Sequence, residues 1–289
     1  MKNIVLTGTS SGFGLMTAQT LAKAGHQVYA TMRNIHTSNA GAAQKLLQWA
    51  DEHAVFVKII ELDVTSEESA VQAIDKIASD CNNQIDVLIN NAGMGFIGLS
   101  ETLSAAQTNQ LFQINVIGAD RMIKAVLPYF HKRKQGLIIS LSSVTARQPV
   151  VTMGVYSATK SAIDTLSAVY HYELRSSGID VSIVQAGAYP ATDILTKQLV
   201  PAHPEMLSLY SEGIQEYQKR VLGAFIPKEE HADPQEVADL ISTLVVQERK
   251  DRKLWNLING GPFTVQIEEG NASIKNMIES MLNYSGISY

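Results

Sequence analysis

Short apolar runs rich in Val and Ile alternate along this chain with longer stretches whose apolar residues recur at helical spacing. That rhythm constrains the fold more than any other feature, because near-continuous apolar strands interleaved with helices imply a mostly parallel sheet covered on both faces. The strand-like runs lie at 4–7, 27–32, 55–62, 85–90, 137–142 and 181–185, and helical patterns fall at 14–24, 66–80, 104–130 and 157–176. Right-handed crossovers then predict a doubly wound α/β sheet that takes ligands beyond the carboxyl ends of its strands. At 289 residues, without repeat or linker, the chain is expected to form a single domain over 1–289.

The rhythm breaks after about residue 190. Residues 193–227 carry Leu195, Leu199, Met206, Leu209, Tyr210, Tyr217, Val221 and Phe225 with few turn signals. A lid over a pocket and an ordinary pair of packing helices both read this way. A helix is expected from Pro234 with Asp233 as its cap, then a turn at 260–262, a strand at 263–267 and a helix at 272–282.

The first strand runs directly into Thr7-Gly8-Thr9-Ser10-Ser11-Gly12-Phe13-Gly14. Three glycines between a strand and a helix allow a tight turn and close approach of a phosphate to the helix N-terminus. A plain tight turn is the competing reading. The GxxxGxG spacing differs from the common GxGxxG fingerprint, and no Lys-Ser/Thr pair follows to make a P-loop.

Composition excludes other classes. A net charge of −5 argues against a nucleic-acid partner, and Lys132-Arg133-Lys134, the only dense basic cluster, reads as the solvated end of a helix. One cysteine, Cys81, permits no internal disulfide, reads as an inert helix-end residue, and no metal-ligand spacing appears among the histidines. The apolar run at 4–6 is too short for a signal peptide or membrane span, so the expected setting is cytoplasmic.

Tyr156 and Lys160 stand four apart and share a helix face. A phenol near pKa 10 exchanges protons poorly at neutral pH, and an adjacent ammonium favours the phenolate. Lowering that pKa by ~3 units takes roughly 4 kcal/mol at ~1.36 per unit. Ser143, at a strand's carboxyl end, can hydrogen-bond an oxygen on which negative charge develops.

These motifs together resemble the short-chain dehydrogenase/reductase family: TGxxxGxG at the first turn, Asn90-Asn91-Ala92-Gly93 after the fourth strand, Asn115, Ser142-Ser143, and the Tyr156-to-Lys160 pair. The thirteen-residue step from Ser143 to Tyr156 is the family's, which selects Ser143 over Ser142. The resemblance covers roughly residues 3–192 and implies an oxidoreductase interconverting an alcohol and a carbonyl by hydride transfer. It implies Asn115, Ser143, Tyr156 and Lys160 as the catalytic set, with Tyr156 as general acid/base. Lys160 would also hold the nicotinamide ribose and Asn115 anchor a relay water. Cofactor contacts are implied for Gly8, Ser10, Ser11, Gly12, Phe13, Gly14, Asp63, Val64, Asn91, Ala92, Gly93, Tyr156, Lys160, Gly187 and Thr192. Residues 1–135 would mainly bind cofactor, and 136–289 carry catalysis, the substrate loop and a C-terminal extension.

One stretch departs from the pattern. Ala186-Gly187-Ala188-Tyr189-Pro190-Ala191-Thr192 has Ala where the family has Pro, and Thr one residue late, so displaced nicotinamide contacts are expected. At the end of the second strand, where NAD-using folds place an acid, stand Met32 and Arg33. Arg33 can offer paired donors to a 2′-phosphate, so NADP(H) is expected ahead of NAD(H). A non-catalytic NADP(H)-binding redox sensor is the alternative, although such proteins typically lose the Tyr or Lys present here. The partner expected is an apolar small-molecule carbonyl or alcohol, and the oligomer a homodimer or homotetramer.

Overall fold

The computed structural model of the chain describes residues 1–193 and 196–287. Its sheet has seven parallel strands: β1 (Asn3–Thr7), β2 (Gln27–Met32), β3 (Val57–Glu61), β4 (Val87–Asn90), β5 (Gly136–Ser143), β6 (Ile179–Ala186) and β7 (Trp255–Ile258). Their order is β3-β2-β1-β4-β5-β6-β7, so the winding reverses between β1 and β4 and opens a crevice at their carboxyl ends.

Two layers of helices bury the sheet. On one face α3 (Glu67–Asp80) and α5 (Gly118–Arg133) pack Ile74, Ile77, Met122, Val126 and Phe130 against Val5, Leu88 and Ile138. On the other, α1 (Gly12–Lys23) and α8 (Gln235–Val246) pack Ala18, Leu21, Val237, Ile241 and Leu244 against Ile4, Leu6, Val87 and Ile139. Helix α6 (Gly154–Arg175) lies along β5 and β6. The strands hold apolar residues on both sides, as a doubly covered parallel sheet requires.

Local chemistry sets several boundaries. Ser66 caps α3 by accepting from the Ser69 amide, and a capping box of Ser104 and Gln107 starts α4 (Ala105–Phe112). The expected helix at 104–130 is interrupted by a π turn, Gln113–Ile117, between α4 and α5. Asp233 accepts from the Gln235 amide at 2.9 Å, but the N-cap position of α8 falls on Pro234, one residue later than expected. Helix α2 (Ala40–Glu52) has no counterpart among the patterns singled out from sequence.

One expectation near the C-terminus fails. Residues 263–267 form no strand: Gly261–Phe263, with Pro262 in its first turn, form a 3-10 turn, and α9 (Thr264–Tyr284) follows at once. Proline suits the first position of a helical turn, where its missing N–H costs nothing. The strand is instead β7, four half-buried residues at the sheet edge, too short to show a period. Arg133 also differs from the solvated cation expected, since it donates to the Ile85 carbonyl and pairs with Asp86 at 2.8 Å. Cys81 is the buried C-cap of α3, and burial pushes its thiol up, as an inert residue requires.

Between 196 and 226 no residue is buried, and the only regular elements are a 3-10 turn at Pro204–Leu209 and α7 (Glu212–Ala224). A packed core pair would bury its apolar residues, so the cover reading prevails. Gln198 and Gln218 moor this cover by accepting from the Ile97 and Leu99 amides. Leu195 lies outside the described residues.

The glycine turn is the tightest joint. Gly8 has φ +74°, and a Cβ there would stand 2.7 Å from Ala92 Cα; one on Gly14 would stand 2.1 Å from the Gly8 carbonyl oxygen. Gly14→Ala should therefore cost roughly 1–3 kcal/mol of stability through overpacking. Gly41→Ala, in α2 with nothing within 4 Å, should gain ~0.5–1 kcal/mol from helix propensity. Urea denaturation of both variants checks this; equal effects would mean the turn has slack.

Candidate active site

The carboxyl ends of the strands converge on one cavity of about 500 Å³. Its lining includes Gly8, Ser10, Ser11, Gly12, Phe13, Gly14, Arg33, Asp63, Val64, Asn91, Ala92, Gly93, Tyr156, Lys160, Gly187 and Thr192. Six separate chain segments thus deliver the sequence-predicted residues to a single space. Asn115 and Ser143 stand just behind that lining and bond to residues in it.

The turn after β1 is held by β4. Asn91 Nδ2 donates to the Thr7 and Gly8 carbonyls at 2.8 and 2.9 Å, while the Asn91 and Ala92 amides donate to Thr7 Oγ1. The first turn of α1 contains no acid, and Ser11, its N-cap, makes no side-chain capping bond. Free amides and an uncompensated dipole there fit a phosphate. At the far side Met32 is buried, whereas Arg33 is exposed. The Arg33 carbonyl is pinned by Asn39 Nδ2 at 2.7 Å, and its guanidinium has no partner among the described residues. Asp63 accepts from the Thr65 amide and hydroxyl, so Ser66 rather than Asp63 caps α3.

Asn115 occupies the π turn, a local irregularity that turns a side chain out of helical register. Its amide clasps Met94, accepting from the backbone N–H at 2.8 Å and donating to the carbonyl at 2.9 Å, and also donates to Thr159 Oγ1. Lys160 Nζ donates to the Leu141 carbonyl at 2.9 Å and lies 5.7 Å from the Tyr156 ring centroid. Helix α6 carries both residues on the face turned to the cavity.

Geometry distinguishes the two serines. Ser142 Oγ donates to the buried Asp164 carboxylate at 3.0 Å. Ser143 Oγ accepts from the Thr145 amide and hydroxyl at 3.1 and 3.0 Å, which fills its acceptor sites and leaves its proton to give. The Ser143 hydroxyl favours the ionised form of Tyr156.

The electrostatics differ from the sequence expectation. Burial pushes the Tyr156 hydroxyl up to about 12, against the pull of the Ser143 hydrogen bond, and pushes Lys160 down to about 8. Desolvation penalises both charged forms, so burial opposes the effect that an adjacent ammonium has on a phenol.

The departure after β6 is absorbed locally. A Cβ on Gly187 would stand 1.8 Å from the Asn259 carbonyl oxygen, so only glycine fits against the β7 loop. Thr192 turns back on the Tyr189 carbonyl and still reaches the glycine turn: a Cβ on Gly12 would lie 3.9 Å from Thr192 Cβ. Sequence reasoning missed Tyr189, which is buried edge-on to Phe13 at 5.4 Å and donates to Glu236. It also missed Asn39 and, from the cover, Lys197 in the cavity wall, where Phe225, read from sequence as part of a lid, stands too. Lys197 pairs with Asp193 at 3.0 Å and donates to Ser11 Oγ, tying the cover to the glycine turn and holding Asp193 below the usual carboxylate range.

Residues 2–200 match the sequence model of the family described as short chain dehydrogenase. The chain belongs to that family. It is similar to a 3-ketodihydrosphingosine reductase of Bacteroides thetaiotaomicron, 37% identical over 64% of this chain and 63% of the relative. It is similar also to human retinol dehydrogenase 8, 38% identical over 64% of this chain and 58% of the relative. In both cases the match spans less than two thirds of the relative's length. A short-chain dehydrogenase from Streptomyces avermitilis has the same architecture, with TM-score 0.74 and 25% identity over 99% of this chain and 98% of that one. Solved structures of this fold include complexes with NADP and with NAD. Among the described residues no helix is long and apolar enough to cross a membrane.

The buried lysine gives a pH signature. Between about 8 and the ordinary 10.5 the unfolded chain holds a proton on Lys160 that the folded chain has released. This group therefore makes stability rise with pH across that window. Lys160→Met removes the term, so any stability advantage of the variant at pH ~7.5 should shrink by up to roughly 3 kcal/mol by pH ~10.5, at ~1.36 per unit. Denaturation curves across the window check it, and a pH-independent difference contradicts it.

Proposed function

We propose that the chain is an NADP(H)-dependent oxidoreductase that interconverts an alcohol and a ketone or aldehyde, with Tyr156 as general acid/base. One observation carries the reading: Tyr156 and Lys160 line the cavity that also contains the glycine turn, with Ser143 behind them and its acceptor sites filled by Thr145. In reduction Tyr156 gives its proton to the substrate oxygen as negative charge grows there, while Ser143 donates a hydrogen bond to the same oxygen. A bound nicotinamide supplies or accepts the hydride. Lys160 has donors left beyond its bond to Leu141, and these suit ribose hydroxyls beside Gly93. Its ammonium, with the cofactor's positive charge in the oxidised state, favours the phenolate that burial disfavours. Asn115 holds Met94 and the adjoining cavity wall in place.

Residues 1–135 then serve mainly the cofactor and 136–289 the reaction and its cover. An apolar substrate is supported by Met94, Ile114, Leu141 and Phe225 in the lining. It is supported too by the names of the two relatives, which specify apolar molecules. The reading includes a homodimer or homotetramer through α5 and α6, which sedimentation velocity would detect.

Tyr156→Phe removes only a hydroxyl, so turnover of NADPH with a panel of apolar aldehydes and ketones should fall about 1,000-fold or more while NADPH binding persists. A variant retaining a tenth of wild-type turnover would refute the assignment. Saturable NADPH binding with no turnover by the wild type would favour a sensor instead.

Arg33→Ala should raise the KM for NADPH about tenfold or more, ~1.4 kcal/mol per decade, and leave that for NADH nearly unchanged. The exposed, unpaired guanidinium beside buried Met32 supports this. A wild type whose kcat/KM is higher with NADH would sink the NADP(H) preference whatever Arg33 does.

A further inference from the structure

A fully buried carboxylate lies one helical turn beyond Lys160. Asp164, 0% exposed, accepts four hydrogen bonds. Oδ1 takes Arg147 Nη2 at 2.6 Å and Trp255 Nε1 at 2.9 Å; Oδ2 takes Ser142 Oγ at 3.0 Å and Gln185 Nε2 at 2.9 Å. Gln185 in turn exchanges amide hydrogen bonds with Asn271 of α9. A desolvated ion pair is a weak device for stability alone, since well-packed apolar residues of similar volume usually serve as well or better.

The placement of its partners explains what the carboxylate does. Ser142 immediately precedes Ser143, and Arg147 follows it in the turn after β5. Both are fastened to one side chain of α6, the helix that carries Tyr156 and Lys160. The segment between those two fastenings includes Thr145, whose amide and hydroxyl orient the Ser143 hydroxyl. We infer that Asp164 is a positioning residue: by holding the chain on both sides of Ser143 to the tyrosine-bearing helix, it sets where the Ser143 hydroxyl stands relative to Tyr156. The inference rests on the proposed roles of Tyr156 and Ser143. Through Gln185 and Asn271 the same network fastens α9, whose only other buried residue is Ile267, to the reaction centre.

Three variants test it: Ser142→Ala, Asp164→Asn, and the double variant Asp164→Asn/Arg147→Gln, which removes both charges. With the best carbonyl of the panel, each should lower kcat about tenfold or more and leave the NADPH dissociation constant within about twofold. Melting temperature should fall in Asp164→Asn and recover largely in the double variant, while kcat should not recover. Amide exchange across 143–149 should rise at least about fivefold in Ser142→Ala, a readout that needs no substrate. Recovery of kcat along with melting temperature would reduce the pair to charge balance and overturn the inference. Unchanged exchange across 143–149, or kcat within twofold of wild type in Ser142→Ala, would overturn it too. If Tyr156→Phe abolishes turnover while these variants retain it, the positioning role fails and the proposed reaction stands. A wild type without turnover fails the reaction, and the exchange measurement still decides the positioning role.

Discussion

Thr7 and Asn91 interlock the carboxyl ends of β1 and β4, and the rest of the site is built on that joint. The Thr7 hydroxyl accepts from two backbone amides of the β4 turn and donates to the Ile89 carbonyl, so both its lone pairs and its proton are used. The Asn91 amide answers by bonding the Thr7 and Gly8 carbonyls. Side chains thereby supply the hydrogen bonds that no ladder can supply once the two strands have ended. The winding reverses at this seam, so helices lie to either side and none crosses over the crevice. The glycines follow from the same joint. With Gly8 pressed on Ala92 and Gly14 on Gly8, a bulkier turn would push the two strand ends apart.

What the sequence revealed was local. The glycine spacing, the Asn90-to-Gly93 run and the Tyr156-to-Lys160 step each lie within one turn or helix, so their geometry travels with their spacing. Six of the seven strands were visible because doubly covered strands are long apolar runs, whereas β7 is four half-buried residues and gave no such signal. Contacts between distant segments stayed hidden. Trp255 meets Asp164 across 91 positions, and Tyr189 reads as an ordinary loop residue until it is seen buried against Phe13. The preference for Ser143 over Ser142 came from spacing; the reason for it, that Ser142 spends its proton on a buried carboxylate, comes only from the fold.

Burial also works against an effect that spacing alone supports. Two residues four apart on a helix share a face, but their mutual effect depends on where the charge centres lie and how dry the face is. Here the ammonium sits near the ring of Tyr156, and desolvation moves the phenol up and the amine down. Both groups are thereby biased toward neutrality in the protein alone. A site held this way gains its charge contrast from what enters it.

The cover leaves the buried frame at Pro190 and returns to it at Pro234, and none of its residues from 196 to 226 is buried. It is a tethered excursion, and the entropy of closing such an excursion rises only with the logarithm of its length, about 0.6 kcal/mol for each doubling. Lengthening it, shortening it or replacing its sequence therefore perturbs folding far less than a single methyl group placed on Gly14. The frame and this segment are joined by a few side-chain ties, through Lys197, Gln198 and Gln218, and not by a shared core. Grafting a different cover between those two anchors is the change this architecture tolerates best.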